Sequence, residues 1–223
     1  MFLPLQKILK EAEVRKIRER LAGASFADGA ATAGRHARRV KQNEQIARGS
    51  DLAKELGKMV MEALRRSGPF ISATLPCRIT EPMFNRYASG MRYGSHVDNA
   101  VMYQPAPLRS DISVTVFLSE PSEYEGGELL IDDVALRQKV KLPAGSAIIY
   151  PSTSLHRVEP VTRGERLAAI VWVQSLVRDP AQRRILFDLD RVTQSLTKKD
   201  AEAGEVDVLS ASYHNLLRMW AEA

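Results

Sequence analysis

Between residues 77 and 175 the chain breaks into short extended runs, and no other stretch limits its possible folds so strongly. The runs fall at 77–87, 93–98, 112–119, 128–131, 138–142, 146–150, 155–161 and 166–175. Turn signals separate them: Gly126-Gly127, Pro143-Ala144-Gly145 and Thr162-Arg163-Gly164-Glu165. Eight strands this short, spaced in this way, suggest a sandwich or jelly roll. Helical periodicity flanks them on both sides. Residues 5–22 read as an amphipathic helix with Leu5, Ile8, Leu9, Val14, Ile17 and Leu21 on one side, ended by Gly23. Residues 24–50 read as loop with one short strand. Ser50 then caps a helix over 51–66, which Gly68-Pro69 closes, with Leu52, Leu56, Met59, Val60 and Leu64 as its buried stripe.

After Ser175 a helix is expected from Pro180 to about Ser195, with Ile185, Leu186, Leu189 and Val192 inward. A second runs from Leu209 to about Trp220, after an exposed connector over 197–204. The expected architecture is mainly β: a double-stranded β-helix, or jelly roll, with two N-terminal helices against its outer sheet. Residues 1–76 form a helical buttress, 77–176 the core and 177–223 a helical extension. That tail packs on the roll or on a second copy of the chain, which makes a homodimer one option.

At 223 residues the chain could hold one sizeable domain with an appendage. No run approaches 18 uninterrupted apolar residues, so no membrane-spanning helix is expected. The first residues, Met1-Phe2-Leu3-Pro4-Leu5-Gln6-Lys7, do not resemble a secretory signal. Cys77 is the one cysteine, which excludes an intrachain disulfide and fits a reducing cytoplasm. It reads as a small apolar filler at a strand start. The net charge of +5 is concentrated in residues 1–70, which carry 15 Lys/Arg against 8 Asp/Glu. That excess reads as a solvated helix face or as a nucleic-acid surface; the lack of interleaved aromatics favours the first.

The chemistry centres on Gly94-Ser95-His96-Val97-Asp98-Asn99. On a strand, residues two apart share a face, so His96 and Asp98 aim an imidazole and a carboxylate at one point. His156, from a later strand, completes two histidines and one carboxylate. That facial triad leaves positions open on an octahedral ion and marks non-haem Fe(II) oxygenases. Arg166 opens an apolar strand, Leu167 to Val173, and needs an anion there. The anion is either Glu159 or Glu165, or the far carboxylate of a dicarboxylic co-substrate. A two-residue turn at Arg163-Gly164 would put Arg166 and His156 on opposite faces, so an odd-length or bulged turn is expected. His36 and His214 read as surface residues.

Tyr87, Gly90, Tyr93, His96 and Asp98 keep the spacing Y-x-x-G-x-x-Y-x-x-H-x-D. With Gly126-Gly127-Glu128-Leu129, Pro143-Ala144-Gly145 and His156…Arg166, this resembles the prolyl-hydroxylase branch of Fe(II)/2-oxoglutarate dioxygenases. More closely, Lys141-Leu142-Pro143-Ala144-Gly145, the run Tyr150 to Val158 and the run Gln182 to Asp190 resemble the bacterial PKHD-type hydroxylases, over nearly the whole chain. The resemblance implies that His96, Asp98 and His156 bind Fe(II) and that Arg166 holds the far carboxylate of 2-oxoglutarate. It implies oxidative decarboxylation of 2-oxoglutarate by O2 to succinate and CO2, coupled to hydroxylation, with L-ascorbate as a supporting reductant. Tyr87 falls where that branch lines the co-substrate pocket; Tyr93 does likewise or packs. Some prolyl hydroxylases place a tyrosine in the strand equivalent to 112–119. This chain offers Ser113, Thr115 and Phe117, with Thr115 the candidate for the second hydrogen bond.

No residue names the substrate, which is a protein side chain, an amino acid or a small metabolite such as a siderophore. The segment from Asn99 to Asp111 is long enough for a lid, or is simply a loop. An AlkB-like nucleic-acid demethylase would share the triad, but such enzymes carry R-x-N-x-T-x-R where this chain has Arg166 followed by Leu167 to Val171. A non-catalytic metal-binding module would need neither Arg166 nor Tyr87.

Overall fold

The computed structural model describes every residue except 33, 35, 36, 104, 105, 133–136, 200–202 and 223. His36, part of the 99–111 segment and part of the 197–204 connector therefore lie outside the described residues.

Two antiparallel sheets face one another. The larger has eight strands. Leu3–Leu5, Ala147–Pro151, Ile112–Phe117, Arg166–Ser175, Met83–Tyr87, Glu44–Ile46 and Phe26–Asp28 follow one another across it, and Pro76–Ile79 pairs with the end of Arg166–Ser175. The smaller runs Arg137–Val140, Leu129–Asp132, Leu155–Val158, Arg92–His96, Lys41–Gln42. Two short ribbons, Tyr124–Gly126 with Val161–Gly164 and Val101–Met102 with Leu108–Arg109, complete the jelly roll.

The central strands of the larger sheet are buried on both faces, which is why they read as nearly continuous apolar runs. Ile112, Val114 and Val116, with Leu167, Ala169, Val171 and Val173, pack outward against the helices. Their alternate neighbours Ser113, Thr115 and Phe117, with Arg166, Ala168, Ile170 and Trp172, line the interior. The helices are α1 (Glu11–Ala22), α2 (Asp51–Arg65), α3 (Gly68–Thr74), α4 (Pro180–Thr197) and α5 (Ala203–Trp220). Helix α1 buries Val14, Ile17 and Leu21; α2 buries Leu56, Val60, Ala63 and Leu64. Each such leucine, isoleucine or valine contributes about 1.5–3 kcal/mol by leaving water. Ser50 caps α2 by accepting the Ala53 N–H at 3.2 Å.

Several expected boundaries move. The first helix starts at Glu11 rather than residue 5, because Leu3–Leu5 adds an edge strand to Ala147–Ile149 and Lys7 takes a left-handed φ of 48°. Gly68-Pro69 does not end a helical region. Ser67 caps a new helix there, accepting from Phe70 N at 3.3 Å, with the proline in the first turn, where no N–H is needed. The run 77–87 divides into Pro76–Ile79 and Met83–Tyr87, and the segment 24–50 holds three short strands rather than one.

The run 155–161 ends as a strand at Val158. Val161–Gly164 then crosses out to pair with Tyr124–Gly126, so His156 and Arg166 belong to different sheets and no hairpin joins them. The register conflict at Arg163-Gly164 disappears for that reason. Ile185 and Val192 of α4 face outward, and Leu186 and Phe187 take the buried positions. Tyr213, Leu216, Leu217 and Trp220 of α5 pack on Leu75, Val177 and Leu186. Cys77 is exposed, not a core filler, and His214 is exposed. Among the described residues no helix is long and apolar enough to cross a membrane.

Candidate active site

The strand Arg92–His96 carries a β-bulge. His96 pairs with His156 and Tyr93 with Val158, so three residue steps on one strand span two on the other. The extra residue returns Tyr93 and His96 to the same face, where their rings stack at 3.6 Å and 16°. Gly94 permits this crossing, since a Cβ there would lie 2.7 Å from Val40 Cβ. The strand ends at His96, and Asp98 lies two residues beyond it rather than on the strand as expected. The same convergence is reached by a turn of the chain: ligand atoms of His96, Asp98 and His156 all lie within 4.8 Å of one another.

Each group is held for ligation. His96 Nδ1 lies 2.9 Å from Gly94 O and His156 Nδ1 lies 3.0 Å from Ser154 O. Those carbonyls fix the Nδ1–H tautomer, leaving each Nε2 lone pair free, the usual outer support of a metal-binding imidazole. The two Nε2 atoms lie 3.9 and 3.8 Å from Asp98 Oδ1. Burial, and then the adjacent His156, pull the His96 pKa down to about 4, so this imidazole is neutral at pH 7. Asp98 Oδ2 accepts from Ser113 Oγ at 2.5 Å, and Ser113 Oγ lies 2.8 Å from Ser152 Oγ. Two nitrogens and one carboxylate oxygen on one side of a cavity suit a first-row divalent ion with open positions.

Arg166 lines the same cavity. It pairs in register with Tyr87 and is 1% exposed. Its guanidinium stands 5.2 Å from the Tyr87 ring centroid and 5.4 Å from that of Phe117. Among the described residues no carboxylate pairs with it, and its Nε has no hydrogen-bond partner. The two protein acids considered from sequence are engaged elsewhere: Glu159 pairs with Arg157 at 2.6 Å and Glu165 lies 3.7 Å from Arg86. With the Tyr124 phenol beside it but no carboxylate, this buried guanidinium keeps a charge that is costly in isolation and suited to meet an anion. Burial pushes the Tyr87 phenol up to about 12, with the Arg166 charge offsetting part of that rise.

All seven residues singled out from sequence, His96, Asp98, His156, Arg166, Tyr87, Tyr93 and Thr115, line this one cavity. Sequence reading missed Tyr150, which is cross-strand from Ser113 and edge-on to His156 at 5.1 Å. Its phenol, driven well above the usual range by burial, adjoins Thr115. It thus brings a tyrosine beside the strand that lacks one.

A second omission is a wall built from residues 41–46. This segment pairs first with the smaller sheet and then with the larger, closing the gap between them. Lys41, Asn43 and Gln45 point inward and are buried. Lys41 Nζ donates to Thr32 Oγ1 at 2.9 Å, Thr32 Oγ1 to Gln45 Oε1 at 2.7 Å, and Gln45 Nε2 to Asn85 Oδ1 at 2.7 Å. The period-2 pattern at 41, 43 and 45 was the available signal, but strands of two and three residues are too short for it to stand out.

Comparison with known proteins accords with this geometry. Residues 82–174 match the model of the 2OG-Fe(II) oxygenase superfamily, and residues 180–222 match the PKHD-type hydroxylase C-terminal domain. A PKHD-type hydroxylase of Hyphomonas neptunium is 51% identical over 100% of both chains. Among solved structures, a Trichoplax adhaerens prolyl hydroxylase in complex with a hypoxia inducible factor peptide fragment is 17% identical, with a TM-score of 0.56. The match covers 83% of this chain and 86% of that one. HygX of Streptomyces hygroscopicus, with nickel, 2-oxoglutarate and hygromycin B bound, is 14% identical, with a TM-score of 0.56 over 79% of this chain and 84% of its own. With whole-length identity this high and both segments matched, the chain belongs to the PKHD-type hydroxylases, dioxygenases of the 2OG-Fe(II) oxygenase superfamily.

Proposed function

We propose that His96, Asp98 and His156 hold Fe(II), that Arg166 receives the far carboxylate of 2-oxoglutarate, and that the enzyme hydroxylates a protein side chain, an amino acid or a small metabolite. The observation that carries this reading is the Arg166 guanidinium, buried without an acid in the cavity that the triad lines. A metal sensor has no use for such a group. Iron with 2-oxoglutarate and O2 supplies the oxidising power, releasing succinate and CO2; the protein's part is binding, orientation and exclusion of water.

Within that scheme Ser113 orients Asp98, and the carbonyls of Gly94 and Ser154 orient the imidazoles. Tyr87 and Phe117 pack on the guanidinium, and Tyr150 with Thr115 offers hydroxyls to the cavity that Asp98 and Arg166 line. Residues 77–176 form the catalytic core in this scheme, 1–76 its buttress and 177–223 its extension. An exposed lone thiol, Cys77, and a ferrous centre both suit a reducing compartment such as the cytoplasm, with ascorbate restoring iron after uncoupled turnover. The related folds bound to a peptide and to hygromycin B support either size of substrate.

The test is an anaerobic titration with Fe(II) and 2-oxoglutarate, following the visible charge-transfer band of the chelate. Wild type gives the band, His156→Ala loses it, and Arg166→Ala needs far more 2-oxoglutarate to reach it. Iron uptake without any band in wild type overturns the reading.

A further inference from the structure

We propose that the Lys41 ammonium is the receptor for a carboxylate on the substrate, so that this enzyme hydroxylates an anionic molecule whose apolar body runs past Met83 and Trp172. The inference rests on the metal and co-substrate assignment above and names the substrate class of that site.

Lys41 is 5% exposed and lines the metal cavity. An ammonium has three donors, and among the described residues this one has a single hydrogen-bond partner, Thr32 Oγ1. Its Nζ stands 5.2 Å from the centroid of Tyr93, the ring that stacks on His96. Among the described residues no carboxylate lies within ion-pair distance. Asp98 and Asp28 act on it from further away, and Arg48 opposes them. Lysine is almost never buried this far without a partner.

Charge balance points the same way. The cavity is lined by three charged side chains, Lys41, Asp98 and Arg166, besides its neutral polar groups. With Fe(II) and doubly charged 2-oxoglutarate in place, the charges of metal, co-substrate, Asp98 and Arg166 cancel. The Lys41 charge is what remains for a third ligand.

The apolar half of that ligand has a place. A neighbouring cavity of about 300 Å³ is lined by Ile46, Met83, Phe84, Met102 and Trp172, together with Thr80, Glu81 and Arg48, whose guanidinium lies 3.4 Å from Met83 Sδ. Met83 and Trp172 line both cavities, so the two adjoin. Among the described residues the buried Trp172 Nε1–H has no hydrogen-bond partner, and a ligand acceptor would satisfy it. A carboxylate at Lys41 with an aryl or alkyl body along Met83 and Trp172 meets all of these features.

The experiment uses the full chain loaded with Mn(II) and saturating 2-oxoglutarate, so that the Arg166 end is occupied. Proton relaxation of three matched probes, phenylacetate, benzyl alcohol and benzylamine, reports which of them approaches the metal. Phenylacetate alone is expected to relax strongly. Lys41→Met should weaken that binding by about tenfold or more, the loss of one charge-assisted hydrogen bond, while Lys41→Arg retains most of it. Co-substrate affinity, read from water-proton relaxation in a separate 2-oxoglutarate titration of the Mn(II)-loaded protein without probe, stays within about twofold in both variants, and thermal melts establish that each is folded.

Equal relaxation by the alcohol or the amine, no relaxation by phenylacetate, or full binding by Lys41→Met overturns the proposal. So does a loss of 2-oxoglutarate affinity in folded Lys41→Met, which would assign Lys41 to the co-substrate. Failure of wild type to bind 2-oxoglutarate is a separate result, and it overturns the underlying assignment instead.

Discussion

Ser113 Oγ donates to Asp98 Oδ2 at 2.5 Å, and this bond leaves Oδ1 as the carboxylate oxygen nearest both His96 and His156. The serine comes from the larger sheet and both histidines from the smaller, so the contact ties the two walls together at the metal position. Outer-shell partners of this kind typically alter metal affinity 10–100-fold. Ser113→Ala is therefore expected to weaken Fe(II) binding by about 10–100-fold at unchanged fold. Because Ser152 acts through Ser113, adding Ser152→Ala should cost little more. Competitive titration against a chelator measures both.

Arg166 predicts opposite effects on stability and on binding. Its guanidinium is buried, its Nε makes no hydrogen bond, and among the described residues no carboxylate pairs with it. Arg166→Met should raise the stability of the ligand-free protein by about 1–3 kcal/mol, the cost of an unsatisfied buried polar group. It should lower 2-oxoglutarate affinity by about 100-fold or more. Urea titrations with and without 2-oxoglutarate, on metal-loaded protein, read the two effects separately. A destabilised ligand-free variant would count against the unpaired charge.

Gly94 is constrained by space. Any Cβ there lies 2.7 Å from Val40 Cβ, so Gly94→Ala must displace the wall strand or the bulge. The expected loss is about 1–3 kcal/mol, together with weaker metal binding as the Tyr93–His96 stack shifts. Gly23→Ala, where nothing lies within 4 Å of the added carbon, serves as the control and should be neutral or slightly stabilising. Thermal denaturation of both variants makes the comparison.

His96 makes the metal-free protein acid-sensitive. Its pKa is about 4 in the folded chain, against an ordinary value of 6.5. Between those values the unfolded chain binds a proton that the folded site refuses, so the stability falls as pH drops from 6.5 towards 4. The urea midpoint of metal-free protein should decline across that window, and His96→Leu should flatten the decline. Bound metal should hold the imidazole neutral and extend the plateau to lower pH.

The convergence of His96, Asp98, His156 and Arg166 on one cavity was legible because the chemistry considered needs particular residue types at spacings that few chains share. The sheet core was legible where strands run five residues or more, as at Ile112–Phe117 and Arg166–Ser175. The two-sheet arrangement around Val161–Gly164 was not, because period-2 alternation says which residues share a face but not which sheet a strand joins. Asp98 was assigned to the right point for an incomplete reason: it lies past the strand, and its direction is set by Ser113. Lys41, Asn43 and Gln45 were hidden in a segment rich in Gly, Ala and Arg, whose strands exist only because larger sheets receive them. Tyr150 was missed because its partner, Ser113, is 37 positions away in sequence and adjacent only through the sheet register.

The segment 41–46, shared between the two sheets, separates what the enzyme does from what it does it to. The residues proposed to hold iron and co-substrate fall within positions 87–166 of the sequence, whereas the wall facing them comes from a stretch that ends before α2 begins. Its inward side chains alternate with outward ones: Lys41 lines the cavity, and Asn43 and Gln45 stand behind it on Asn85. If Lys41 selects the substrate as proposed, preference is carried by an exchangeable insert, and the 29–46 segment is the unit to swap between related enzymes.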